Sequence, residues 1–233
     1  MTLDHALRGR TRYPGPVNSD VNLYTPLSMP GKLCWFDASS LELNNNDLVA
    51  SWSDKYGLNS MSQGTDSYKA VYKTNVHNGL PAVYFPDTNT TYSLSVSMNT
   101  MRTAFFVLYS TSNSGLRFLW SHSSTADWHS YDGNRWFLSG SPAGNSYIRH
   151  NGTYMGIGSA VTRATTMTIM TMHTLANLSS NRFAWDRGNT GRSWVGYIAE
   201  MIVSSESLND YHTLNIINYL ANKYALTVSY TPL

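Results

Sequence analysis

Charge is scarce in this chain of 233 residues. Only 13% of its residues are charged, about half the share usual for a globular domain. Glutamate is rarer still, with Glu42, Glu200 and Glu206 as its three occurrences. Common glycosidase chemistry needs two carboxylates flanking the scissile bond. No E-x-D-x-E pattern is present, and "HSYDGNRW" and "FAWDRGN" each offer one Asp with no carboxylate two residues away. The net charge of +2 is small and scattered, without the basic footprint that drives nucleic-acid binding. The one cysteine, Cys34, has no partner for an intrachain disulfide and reads as a small buried hydrophobe in "KLCWFDAS". The seven His form no H-x-x-x-H pair, so no zinc site is expected. There is no G-x-S-x-G elbow and no phosphate-cradling glycine loop after a strand. No apolar run nears the roughly 18 residues of a membrane span. "MTLDHALRGRTRYPG" lacks the apolar core of a signal peptide. The expectation is a non-enzymatic protein made in the cytosol, with no cofactor. A structural calcium at loops such as "NNND" (44–47) stays open on ligand type alone, against a plain solvated turn.

What the chain does have is aromatic residues, 13% of the total, with 16 Tyr among them. Its hydrophobic share of 42% is enough for a sizeable core. From "KLCWFDA" onward, short apolar or alternating runs recur between Gly, Asn, Asp and Ser. "VASWSD", "AVYFP", "YSLSVSM", "TAFFVLYST", "RFLWSH", "NRWFLSG", "SYIRHNG", "MTIMTMHTL", "NRFAWDRG" and "WVGYIAEMIV" continue the series. Runs of this length and composition are strands. "YSLSVSM" alternates, so one face should be wet. "TAFFVLY" and "IAEMIV" are apolar on both parities, so they should be central and covered on both sides. "DGN" at 132 and "NTG" at 189 read as hairpin turns. Ten or so strands make an all-β, two-sheet antiparallel sandwich of jelly-roll type.

Two segments stand apart. Residues 1–30 hold four of the eight prolines and three Arg within five positions, and they show no period. Proline favours extended chain and removes donors. This reads as an extended N-terminal arm ahead of a domain spanning 31–233. Arg8, Arg10, Arg12, Tyr13, Leu23, Tyr24 and Leu27 are its candidate partner-binding residues. The other segment is "SLNDYHTLNIINYLANKYAL", the one clear helical pattern, expected over about 208–224. Ser207 is the expected N-cap, with Asp210 in the first turn. Leu208, Tyr211, Leu214, Ile217, Leu220, Ala221 and Tyr224 form the expected apolar stripe. The stripe is expected to close an edge or open end of the sandwich.

"LCWFDASSL", "NNNDLVASWSDKYG", "NGLPAVYF", "FFVLYS" and "WVGYIAEMIVSSESLNDYHTLNIINYLANKYAL" follow one another in that order. Together they resemble the concanavalin A-like, laminin-G-type jelly-roll domains of bacterial surface and phage structural proteins. The likeness covers about residues 32–226, with 112–165 matching only as generic β sequence. It implies a virion protein made in the host cytoplasm, most simply a capsid decoration protein bound to neighbouring subunits through its arm. That class also implies a homo-oligomer, with a trimer as the usual form. The alternative it implies is a carbohydrate-binding module on a tail appendage or bacterial surface.

The motif residues have physical readings of their own. Trp35 and Trp52 should anchor the core. Asp37 and Asp54 should accept turn amides. Gly79 and Pro81 should shape a turn, and Glu200, set in an apolar strand, must be paired or face an edge. For a glycan, "WSHSSTADWHSYDGNRW" (120–136) carries the candidates Trp128, His129, Tyr131, Asp132 and Trp136. Aromatic faces beside hydrogen-bonding groups suit a sugar ring, although two core strands and a hairpin account for the same residues.

Overall fold

The computed structural model describes residues 24–112, 114–124, 129–130, 147–156 and 163–232. They form a mostly antiparallel β structure with one C-terminal helix. In chain order the strands are β1 (Lys32–Asp37), β2 (Leu48–Val49), β3 (Ser51–Ser53), β4 (Ser60–Ser62), β5 (Ala70–His77), β6 (Leu80–Phe85) and β7 (Tyr92–Ser110). They continue with β8 (Arg117–Phe118), β9 (Trp120–Ser121), β10 (His129–Ser130), β11 (Tyr147–His150), β12 (Thr153–Gly156), β13 (Thr168–Phe183) and β14 (Gly196–Ser204). The helix α1 (Asp210–Tyr224) closes the series.

Two long strands organise the rest. "YSLSVSM" and "TAFFVLYST", read as separate strands, are one 19-residue strand, β7. "MTIMTMHTL" and "NRFAWDRG" likewise share the 16-residue β13. Neither segment holds a Gly or Pro to force a turn. The pair instead changes direction through register shifts between His173/Leu178, Leu178/Ser180 and Ser180/Arg182, since bulges bend and twist a strand. One end of β7 pairs with β4 and with the end of β13; the other pairs with β14 and the start of β13. Hydrogen bonding therefore runs through a 12-stranded sheet that doubles over on itself. Phe36 of β1 packs against Trp52 of β3 and Trp120 of β9, with ring centroids 5.7 and 6.2 Å apart. That inner core also holds Cys34, Met61, Phe106, Leu108, Met172, Met201 and Val203.

A second core lies on the opposite face of the β7–β14 region. Phe105, Val107, Ile169, Ala199 and Ile202 meet Leu208, Ile216, Ile217, Leu220 and Tyr224 there. Residues 104–108 are all buried, and successive side chains go to opposite cores. "TAFFVLY" is thus covered on both sides, as its double-parity pattern implies.

The helix departs from its sequence reading in three ways. Asn209, not Ser207, is the N-cap, and its side chain accepts the His212 amide at 3.1 Å. Leu208 is still tied to the sheet, its amide donating to Thr103 Oγ1 at 3.2 Å, so the helix begins later. The buried stripe is Thr213, Ile216, Ile217, Leu220, Ala221 and Tyr224. Tyr211 is 58% exposed and Leu214 only half-buried. Finally, α1 packs on a sheet face, against Phe105, Val107, Ile169, Ala199 and Ile202, where the sequence reading has it at an edge or open end. The face of β7 and β14 that it covers is apolar, and removing apolar area from water is the gain.

Gly196, at the start of β14, has φ 142°. A Cβ there would stand 2.2 Å from the Tyr109 carbonyl oxygen, so only glycine lets β14 approach β7 this closely.

Candidate functional site

Three of the motif residues, Trp35, Asp37 and Glu200, converge on one buried ionic cluster. Asp37 ends β1 and lies directly opposite Glu200 of β14. The β14–β7 ladder shifts between Ile198 and Glu200, and Glu200 pairs with Val107, a residue of the helix-covered core. The shift thereby turns the carboxylate toward α1. The last turn of α1 brings Lys223 between the two acids, 2.7 Å from Asp37 Oδ2 and 2.7 Å from Glu200 Oε2. Lys55 reaches Asp37 at 3.2 Å and lies 4.1 Å from the centre of the Trp35 ring. Trp35 Nε1 donates to Glu200 Oε1 at 2.6 Å, and the Tyr219 and Tyr224 hydroxyls donate at 3.1 and 3.0 Å.

Four donors thus occupy the roughly four lone-pair sites of the Glu200 carboxylate. Burial raises the Glu200 pKa, and Lys223 opposes this without cancelling it. Burial also works to raise Asp37, but Lys223, the Ser39 amide and Lys55 together hold it below the usual carboxylate range. Tyr219 and Tyr224 are pushed up by burial and by the adjacent Glu200. This arrangement fastens helix to sheet. Asp37 also accepts the Ser39 amide at 2.9 Å, and Asp54 accepts the amides of Tyr56 and Asn59. Trp35 and Trp52 are both buried, as anchors should be. Asn78 and Gly79, with φ of 49° and 72°, make the β5–β6 turn, while Pro81 falls inside β6.

Of the arm candidates, Arg8, Arg10, Arg12, Tyr13 and Leu23 lie outside the described residues. Residues 24–30 are docked on the domain rather than extended from it. Tyr24 meets His212 Nδ1 at 2.6 Å and stands edge-on to Tyr211, with ring centres 6.0 Å apart. The Pro26 carbonyl accepts the Tyr56 hydroxyl at 2.7 Å, Met29 is fully buried, and the Gly31 carbonyl accepts the Ser205 amide at 2.7 Å. Leu27 is 60% exposed. Tyr24 therefore serves an internal contact, whereas Leu27 remains open to a partner.

Of the glycan candidates, Trp128, Tyr131, Asp132 and Trp136 lie outside the described residues. His129 is described by its backbone, which pairs with Phe118. Trp120, at the head of that segment, is core: it is fully buried, 4.5 Å from the Phe183 ring centre. Loop 44–47 closes on itself through the Asn44 amide and Asp47 Oδ2 at 2.7 Å. Among the described residues, no three His, Cys, Asp or Glu gather to hold a metal ion. No helix among them is long and apolar enough to cross a membrane.

Sequence reading missed one surface group. Tyr84, Tyr197 and Tyr109 occupy consecutive register positions on β6, β14 and β7. Their rings stack, with centres 4.5 and 4.7 Å apart. Each tyrosine is visible in "AVYF", "WVGY" or "FVLY", but their alignment depends on pairing between distant strands. No family model matches the chain, and no curated protein matches it.

Proposed function

We propose that this chain is a non-enzymatic virion structural protein: a concanavalin A-like jelly-roll domain that decorates a phage capsid and joins neighbouring subunits through its N-terminal arm. The observation that carries the reading is the docked root of that arm. Tyr24, Pro26 and Met29 are held at α1 and the second core, which ties the described start of the domain to the helix. A tether of this kind transmits attachment to the domain, because its anchor costs no further ordering when a partner binds. The low charge and abundant Tyr suit burial between subunits, where charged residues are depleted and aromatic ones enriched. A trimer is the form this class favours.

The docked root also sharpens the test. Deleting 1–30 would remove buried Met29 and Pro26 and confound folding with assembly. Deleting 1–23 spares both. The truncated protein is expected to fold with an unchanged melting temperature and to be lost from purified particles when supplied during assembly. Full incorporation of the truncated protein would refute the arm's role.

A further inference from the structure

The cluster that fastens α1 to the sheet also gathers the three groups that an amide bond between side chains requires. An amine, a carboxyl carbon and a proton carrier must meet away from water. Lys223 Nζ touches Asp37 Oδ2 at 2.7 Å, and that oxygen is bonded to the carbon the amine would attack. The same Nζ touches Glu200 Oε2 at 2.7 Å. The Asp37 and Glu200 side chains are 3% and 0% exposed, and that of Lys223 is 19% exposed. Trp35, Tyr219 and Tyr224 close around Glu200 through the hydrogen bonds they donate. Two strands and a helix thus hold amine, acid and base in contact. Such positioning replaces a bimolecular step by an effectively unimolecular one.

The remaining contacts give the two oxygens of Asp37 different roles. Oδ1 accepts the Ser39 amide at 2.9 Å, a donor suited to an oxygen that gathers negative charge in a tetrahedral intermediate. Oδ2 carries both lysines, Lys223 at 2.7 Å and Lys55 at 3.2 Å, and is the oxygen that leaves. Lys55 is the second amine on Asp37, but its one ion pair among the described residues is with Asp37 itself, and its side chain is 36% exposed. No second carboxylate stands beside it to take its proton. Burial raises the Glu200 pKa, which suits a group that accepts a proton and hands it on. Asp37 is held low by Lys223, the Ser39 amide and Lys55. Its protonation is therefore the uphill step, and the bond forms slowly, once per chain.

We propose that Lys223 and Asp37 condense to an intramolecular isopeptide bond, with Glu200 carrying the proton. Nζ first passes one proton to Oδ2, which turns the ion pair into an amine and a carboxylic acid. The amine lone pair attacks Asp37 Cγ, and Nζ loses a second proton to Glu200 Oε2. Glu200 delivers that proton to the Oδ2 hydroxyl, the Cγ–Oδ2 bond breaks, and water departs. Nζ keeps its third hydrogen as the amide N–H, and Glu200 returns to its starting charge. Two buried charges become one neutral amide, which removes the desolvation penalty of the pair. The bond joins residues 186 apart in the chain and locks the last turn of α1 to β1.

The test is mass spectrometry of the denatured full-length protein, fresh and after prolonged incubation. The intact chain should be one water lighter than its sequence. Trypsin should release a branched peptide that joins residues 33–55 to residues 193–233 through Asp37 and Lys223, with no cleavage after Lys223. Glu200→Gln should slow formation of this peptide about a hundredfold or more, the usual share of general acid–base catalysis. Lys223→Arg keeps the charge and should give the full sequence mass. Recovery of Asp37 and Lys223 in separate peptides from the unmutated, incubated protein would overturn the proposal, as would a bond at Lys55 instead. That result is read without any variant. Bond formation at an undiminished rate in Glu200→Gln would overturn the role given to Glu200. The proposal does not rest on the virion reading, so either result leaves the truncation test intact.

Discussion

At the scale of single residues, the Asp37–Lys223–Glu200 cluster makes the clearest prediction. Lys223 bonds both acids, and Lys55 contacts Asp37 alone. Lys223→Met would leave Glu200 buried beside a second carboxylate. The expected cost is about 3–5 kcal/mol at pH 7. The signs of the pKa shifts set the pH dependence. The lowered Asp37 value means that its stabilisation is complete above the unfolded carboxylate pKa and disappears as pH falls through the folded value. Glu200 is raised, so its contribution is present at low pH and is lost as pH rises through its folded value. Without Lys223 the raised group dominates. Urea midpoints should then show a larger loss at pH 7 than at pH 4. An equal loss at both would mean that the lysine acts by packing alone.

At the scale of elements, the helix tests which stripe is real. Ile217 is fully buried in the second core, whereas Leu214 is half-buried. Ile217→Ala should cost about 2–4 kcal/mol, the usual range for a large-to-small change in a core, and Leu214→Ala about 1 kcal/mol or less. Chemical denaturation of the two variants decides it, and equal losses would mean that the helix lies in another rotation. The existence of α1 was legible because its apolar residues recur every three or four positions. Its rotation was not, because Tyr211 and Leu214 fit the same period as Thr213 and Ile216 to within one step. Contact with Phe105, Val107 and Ile202 chooses between them. The later start has a similar origin, since Leu208 is captured by Thr103 from a distant strand.

At the scale of the whole molecule, the C-terminal tail joins parts far apart in the chain. The Arg149 side chain is fully buried. It donates to the carbonyls of Thr231 and Gly152, contacts Asp210 at 3.3 Å, and lies 4.4 Å from the Tyr230 ring centre. The Tyr230 hydroxyl in turn donates to Asp210 at 2.6 Å. One arginine thus links the β11–β12 hairpin, the first turn of α1 and the tail. Removing residues 226–233 strips it of two of these partners and uncovers Leu226, Val228 and Tyr230 contacts with the second core. A loss of about 2 kcal/mol or more is expected, measurable as a lower thermal midpoint. An unchanged midpoint would show the tail to be energetically idle.

The sequence by itself determined the local layer of this protein. Strand-length apolar runs, the doubly apolar "TAFFVLY", the terminal helix, the core tryptophans and the turn-capping Asp37 and Asp54 all follow from composition and spacing, which act between near neighbours. Tertiary structure alone decided the rest. Merging four expected strands into β7 and β13 depends on which bulges the paired chain accepts. The facing of Glu200 depends on a register shift in β14, and the fate of Trp120 on Phe36 of β1 and on its register partner Phe183 of β13. The tyrosine row needs three strands in one alignment. A strand's side chains alternate with period two, so a shift of one residue exchanges its faces. That choice is made by long-range packing, which no local stretch of the chain encodes.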